Sequence, residues 1–137
     1  MRKKDKPNHL ESQDASAKKS GYVRLYRSMR YDPLWMKKRI LSQWEAFEYL
    51  YMEASGTERI ITYKRREFKL KRGQLITSER DLAKRWKWTR GSVRNFLRKL
   101  EMRNTIAIKT FKIRPPSTLI TILKYNALNP DNSIPEV

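Results

Sequence analysis

The sequence predicts an α+β domain, and three observations carry this prediction. Apolar residues recur at helical spacing in three separate segments of the chain. Two other segments contain β-branched and aromatic runs that are divided by short polar turns. At 137 residues the chain has room for one small domain with tails but not for two typical domains.

Both ends of the chain are predicted to lie outside this domain. Residues 1–20 are rich in Lys, Ser, Asp and Asn, and Leu10 is their only large aliphatic residue after Met1, so burial cannot offset the entropy of ordering them. We expect a disordered basic arm over 1–20 and a flexible tail over 129–137, where two prolines occur. The folded domain is then expected over 21–128.

The first part of the domain predicts a short element and then a helix. The segment 21–35, GYVRLYRSMRYDPLW, shows brief apolar alternation and an Asp-Pro turn signal, which together indicate a short strand or helical turn and then a loop. Ser42 is followed three residues later by Glu45, and this capping box opens a helix. The apolar positions of that helix recur at helical spacing and are Trp44, Phe47, Leu50, Tyr51 and Ala54.

A β-hairpin is expected next, followed by two helices. The hairpin turns at Lys64-Arg65-Arg66 and ends at Arg72-Gly73. Ser78 then caps a short helix, ERDLAKRW, with Asp81 at the position of a capping-box acid. Only Lys87-Trp88 separates this helix from Thr89, which caps the helix 90–103. An i, i+3, i+4, i+7 pattern gives the second helix an apolar stripe about 100° wide, formed by Val93, Phe96, Leu97 and Leu100.

The end of the domain predicts a second hairpin. Asn104 ends the helix, and the β-branched runs TIAIKT and TLITILKY follow, joined by FKIRPPS, whose adjacent prolines mark a loop over 111–117. Helix, tight turn, helix and hairpin in this order are the plan of a winged helix-turn-helix, whose second helix enters a major groove. We therefore predict an α+β winged helix-turn-helix with a short additional N-terminal helix and β-hairpin.

The charge of the chain predicts a polyanionic partner. Lys and Arg total 32 against 14 Asp and Glu, a net charge of +18 that is far more than solubility requires. The excess is greatest over 73–125, where thirteen basic residues stand beside three acidic ones. The helix 90–103 lies within this most basic segment.

The sequence also argues against several functional classes. It has no cysteine, and its single His9 lies in a polar tail, so no zinc site, histidine catalysis or other cofactor is expected. No phosphate-binding glycine loop and no paired carboxylates with catalytic spacing occur, and we expect the protein not to be an enzyme. Without an 18-residue apolar run or an apolar signal segment, a cytoplasmic, nucleoid-associated protein away from membranes is expected.

The outer face of the helix 90–103 is the predicted reading surface for duplex DNA. Counting 100° per residue from Val93 places Gly91, Asn95 and Arg98 opposite the apolar stripe, with Arg94 beside them. Arginine can pair with guanine and asparagine with adenine, each discriminating by roughly 1–3 kcal/mol. We predict base reading by Arg90, Gly91, Arg94, Asn95 and Arg98, although each arginine taken alone is more simply a solvated surface residue.

A second set of residues is predicted to bind the DNA backbone: Lys87, Thr89, Ser92, Lys99, Lys109, Lys112 and Arg114. The loop 111–117 would form the tip of the wing. The basic runs Lys64-Arg65-Arg66 and Lys37-Lys38-Arg39 are most simply soluble loops, with secondary backbone contacts as the alternative. The spacing favours packing for Trp86, Phe96 and Trp88, rather than stacking on bases.

The sequence resembles the winged-helix domain of phage replisome organisers and DnaD-like primosome proteins over about 21–126. The resemblance is carried by GYVRLYRSM with DPLW, by RGQLITSERDLAKRWKWTRGSVRNFLRKLE and by TLITILKYN, and its most specific block runs from Trp86 to Glu101. It implies a phage or mobile-element replication initiation protein that binds an origin, often as a homo-oligomer, and recruits a helicase or helicase loader. Such proteins often have glycine where this chain has Lys87, and they usually continue into a second, helical domain.

Two other functions use the same residues. A winged-helix transcriptional regulator would bind duplex DNA in the same way, because fold does not determine function. A basic interaction module would instead bind RNA or an acidic protein with this face, and would use the helix that begins after Ser42 for a partner.

Overall fold

The computed structural model describes residues 25–112 and 114–128, with side chains described up to Asn126. Within them the fold is α+β, as predicted, with helices and two small antiparallel sheets. The residues of the predicted arm, 1–20, and of the predicted tail, 129–137, lie outside the described part. Leu25–Leu123 form one compact unit. The described residues after it belong to another unit and contain a short helix, Tyr125–Leu128.

Two short helical elements open the described chain, a 3₁₀ helix over Arg27–Tyr31 and α1 over Pro33–Met36. The predicted loop after the Asp-Pro pair is wrong, because this pair starts a helix. The Asp32 carboxylate accepts a hydrogen bond from the Leu34 amide at 2.8 Å. Pro33 occupies the first helical position, where its fixed φ suits the helix and its missing N–H costs nothing.

The helix α2 spans Gln43–Glu53 and begins with the predicted capping box. The Glu45 amide donates to Ser42 Oγ at 3.1 Å, and the Ser42 amide donates to Glu45 Oε1 at 2.9 Å. Of the apolar positions at helical spacing, Trp44 does not reach the core, because its side chain is 57% exposed and packs on Phe47 of its own helix. Trp44 lies in the first turn, whereas Phe47, Leu50 and Ala54 are buried and Tyr51 is half-buried.

The predicted hairpin is confirmed as β1, Arg59–Tyr63, and β2, Arg66–Leu70, paired antiparallel. Tyr63 pairs with Arg66, so the turn consists of Lys64 and Arg65 alone, and the placement of Arg66 in the turn is corrected to the first position of β2. Both turn residues have positive φ, 52° and 69°.

A three-stranded antiparallel sheet has the order β3-β5-β4, with β3 at Gln74–Thr77, β4 at Ile106–Phe111 and β5 at Ser117–Ile122. The hairpin β4–β5 was predicted, whereas β3 was not. Phe111 pairs with Ser117, so the loop is shorter than expected and covers 112–116. Because β5 is central, it ties the strand before the two helices to the strand after them.

Between these strands lie α3, Glu79–Trp86, and α4, Arg90–Met102. The apolar stripes of both helices are buried as predicted: Leu82, Ala83, Trp86, Val93, Phe96, Leu97 and Leu100. The packing predicted for the aromatic residues is also confirmed. Trp86 is fully buried and meets Phe96 edge-on, and Trp88 packs on both rings while its indole N–H donates to the Leu41 carbonyl at 2.8 Å.

Candidate functional site

The turn between α3 and α4 sets where the second helix begins. Lys87 adopts the left-handed conformation, with φ 62° and ψ 39°, and its amide donates to the Ala83 carbonyl. The Trp88 amide donates to the same carbonyl at 3.0 Å, which closes the end of α3. Thr89 then caps α4 by accepting from the Ser92 amide at 3.1 Å. A lysine is therefore held at a position that normally favours glycine.

Replacing Lys87 with glycine is expected to stabilise the fold by roughly 0.5 kcal/mol. Removing the left-handed strain of an L-residue raises the free energy of unfolding by about 1 kcal/mol or more. The greater conformational entropy of glycine in the unfolded chain offsets part of this gain. Urea unfolding measures the change. The matched control is Lys84→Gly, an exposed position inside α3, which should lose roughly 1 kcal/mol. A loss of stability in Lys87→Gly as well would show that the lysine is not strained.

The residues predicted to read bases all lie exposed on α4: Arg90, Gly91, Arg94, Asn95 and Arg98. A methyl group added at Gly91 would meet no neighbouring atom closer than 4.0 Å, so packing inside the molecule does not require glycine there. Glycine inside a helix nevertheless costs roughly 0.5–1 kcal/mol relative to alanine. The bare backbone at this position leaves space for a molecule that approaches α4 from outside.

Arg94 is held by an ion pair that sequence reasoning missed. Its Nη2 lies 2.9 Å from Glu79 Oε1, and its Nε lies 3.3 Å from Glu79 Oε2. This two-point hydrogen bond with the carboxylate, aided by its charge, raises the pKa of Arg94. The side chain remains 51% exposed. Glu79 therefore fixes the side of α4 on which this guanidinium lies without removing it from solvent.

A groove of about 610 Å³ runs along the other side of α4. It brings together five of the predicted residues, one for base reading and four for the backbone: Lys87, Thr89, Ser92, Asn95 and Lys99. Residues 40–43, which lead into α2, form the opposite wall. The outer face of α4 is thus divided between an arginine side next to Glu79 and a groove side that carries Asn95.

The remaining predicted backbone residues lie at the other hairpin. Lys109, Lys112 and Arg114 are exposed at the end of β4 and in the loop 112–116, and none of them lines the groove. The Lys109 ammonium lies 5.3 Å from the Phe111 ring centre, and this contact orients it at the base of the loop.

The residues of the run Lys37-Lys38-Arg39 have different environments in the structure. Arg39 has a structural role, because its guanidinium pairs with Glu45 at 2.8 Å and donates to the carbonyls of Trp35 and Lys37. Lys37 and Lys38 are exposed. Only these two lysines of the run are placed to contact another molecule.

Met102 is a further residue of the α4 face that sequence reasoning missed. It is 78% exposed. Counting 100° per residue from Val93 places it directly opposite the apolar stripe, beside Gly91 and Arg98. The helical count alone would have identified it. An exposed methionine here gives the basic face an apolar contact point.

Neither a metal site nor a known relative identifies the function. Within the described ranges, no group of three or more His, Cys, Asp or Glu side chains could hold a metal ion. No helix in that part of the chain is long and apolar enough to cross a membrane. Comparisons with protein-family models, curated proteins and solved structures gave no match to this chain. The chemistry of the α4 surface is therefore the basis for a functional inference.

Proposed function

We propose that the chain is a winged helix-turn-helix protein that binds double-stranded DNA, with α4 in the major groove. The observation that carries the proposal is the exposed face of α4, where Arg90, Arg94, Asn95 and Arg98 surround the bare backbone of Gly91. The only acid on this helix, Glu101, lies near its C-terminal end. A helix with this face suits the width and the negative potential of a major groove.

Base reading in this proposal depends on planar donor groups. The guanidinium groups of Arg94 and Arg98 can donate in pairs to guanine O6 and N7, and the Asn95 amide can pair with adenine N6 and N7. Arg94 can contact a guanine while its ion pair with Glu79 is intact, or after this ion pair has broken. Met102 adds an apolar group that suits a thymine methyl.

Backbone contacts are proposed on both sides of the reading helix. The groove donors Lys87, Thr89, Ser92 and Lys99 bind one phosphate strand, and Thr89 and Ser92 stand at the positive end of the α4 dipole. The hairpin β4–β5 acts as the wing, with Lys109, Lys112 and Arg114 on another stretch of backbone. These contacts position the helix but carry no sequence information.

The biological role proposed is initiation of DNA replication in a phage or mobile element. This part rests on the resemblance of the block from Trp86 to Glu101 to replisome organisers and DnaD-like proteins. On this proposal the protein binds a replication origin as a homo-oligomer. It recruits a helicase or helicase loader and is located at the nucleoid. A transcriptional regulator would share the DNA-binding surface and differ in where its sites lie.

Selection from a random duplex pool tests the DNA-binding proposal. The full chain is expected to enrich a defined motif and to bind that duplex more tightly than RNA of the same length. Absence of any enriched motif, together with equal affinity for RNA, would exclude base reading and favour the basic interaction module. The positions of the motif, at an origin or at promoters, then separate replication from transcription.

A further inference from the structure

The turn of the hairpin β1–β2 carries two cations in an unusual backbone conformation. Lys64 and Arg65 have φ of 52° and 69°, and both are exposed. Two-residue turns with positive φ at both positions strongly favour Asn-Gly, because glycine adopts the left-handed conformation freely and asparagine tolerates it better than most other residues. Strained residues persist where the surrounding structure holds them, and they are enriched at functional sites.

The turn is fixed against α3. The Tyr63 hydroxyl donates to the Asp81 carboxylate, and Lys64 Nζ lies 3.6 Å from the same group. The Asp81 carboxylate is thus used by the hairpin, although its amide still donates to Ser78 Oγ as expected for the cap. Burial and this hydrogen bond raise the pKa of Tyr63 to about 12, so the hydroxyl keeps its proton and remains a donor at neutral pH.

The turn is also fixed against the base of the wing. The Phe68 and Phe111 rings lie edge to face with their centres 5.5 Å apart. The Arg66 guanidinium lies 5.1 Å from the Phe68 ring centre and 5.9 Å from that of Phe111. Phe111 is the last residue of β4 and immediately precedes Lys112. The first hairpin therefore sits beside the strand that leads into the wing loop.

These contacts join the turn to β4 directly and to α4 only through the first turn of α3. Asp81 binds the hairpin from the first turn of α3, and Glu79 in the same turn holds Arg94 on the face of α4. On the other side, Phe111 joins the hairpin to the wing. Arg65 has no ion pair with any residue that the structure describes. Its charge therefore stands on a turn whose neighbours contact α3 and the last residue of β4.

We propose that the β1–β2 turn is a second wing, in which Lys64 and Arg65 bind the phosphate backbone of the same duplex that α4 reads. The inference rests on the proposed DNA binding and extends it to an element that precedes the two helices. The contact of Lys64 with Asp81 does not prevent it, because the ammonium has three N–H donors and the Tyr63 hydroxyl also donates to the Asp81 carboxylate.

The double variant K64N/R65G tests this second wing. Asn-Gly is the favoured sequence for this turn, so the variant removes two cations while the hairpin is expected to fold at least as well. The matched control is K69Q/K71Q, which removes two exposed lysines near the other end of β2. The measurement is the affinity of each full chain for one duplex between 50 and 200 mM salt.

Loss of two phosphate contacts is expected to lower the slope of log affinity against log salt by about 1.8 in K64N/R65G. The factor by which affinity falls between 50 and 200 mM salt is then roughly tenfold smaller than in the parent chain. The preference among sequences should not change, and K69Q/K71Q should keep a steeper slope. Equal slopes for the two variants would overturn the second wing while leaving DNA binding intact. A parent chain that does not bind duplex DNA would overturn the proposed function and the second wing together.

Discussion

Replacing Trp86 with alanine is expected to destabilise the protein by about 3–5 kcal/mol. Trp86 is fully buried, and its ring meets Tyr49, Trp88 and Phe96 edge-on at 4.9–6.0 Å between centres. Its carbonyl also accepts from the Leu41 amide at 3.1 Å. Truncation would leave a cavity at the junction of α2, α3 and α4. Because domains of this size have only about 5–15 kcal/mol of stability, this loss would remove a large share of it.

Urea unfolding of the variant measures this effect, and Trp44→Ala is its matched control. Trp44 is mostly exposed, so its removal should cost less than about 1 kcal/mol. DNA affinity is expected to fall with Trp86→Ala only as far as the folded fraction falls. Similar losses of stability in the two tryptophan variants would show that the junction of the helices does not depend on Trp86.

Affinity for duplex DNA is expected to fall roughly 10³- to 10⁵-fold between 50 and 200 mM salt, provided that six to ten phosphates are engaged. The number of cations proposed to contact phosphates falls within this range when the second wing is included. Their cations are Lys87, Lys99, Lys109, Lys112, Arg114, Lys64 and Arg65. Each neutralised phosphate releases condensed counterions and adds about 0.9 to the slope of log affinity against log salt.

Titrating the selected duplex and a scrambled duplex at several salt concentrations measures this slope. Both duplexes should give steep and similar slopes, because backbone contacts do not depend on sequence. The difference between their affinities should stay roughly constant, since it arises at the base edges. A slope that corresponds to fewer than about three phosphates would contradict the proposed backbone contacts.

The helices and hairpins could be predicted largely from local chemistry. Capping residues fix where helices begin, as Ser42 and Thr89 show, and the apolar spacing after Thr89 identifies the buried side of α4. The strand β3 was missed because its four residues are too few to show alternation, and it is stabilised by pairing with β5, which lies more than forty residues away in the chain. The Asp-Pro pair was misread because the same residues favour a turn and the start of a helix.

The candidate site could be predicted only where it depends on a single helix. The exposure of Arg90, Asn95 and Arg98 follows from helical counting and is confirmed. The ion pair of Arg94 with Glu79 could not be foreseen, because it requires the packing of α3 on α4. The wall of the groove at residues 40–43 also comes from a distant part of the chain. The resemblance indicates that glycine is frequent at the position of Lys87, and the left-handed conformation found there gives the physical reason.

The most direct measurement of the central claim is the sequence preference of Asn95→Ala, with Lys112→Ala as the matched control. Each protein is titrated with the selected duplex and with every single base-pair change in it. We expect Asn95→Ala to lose roughly 1–3 kcal/mol of discrimination at one position, because the Asn95 amide reads one base, and Lys112→Ala to weaken the binding of all duplexes alike. An equal change across all sequences for Asn95→Ala would show that α4 does not present its outer face to the bases.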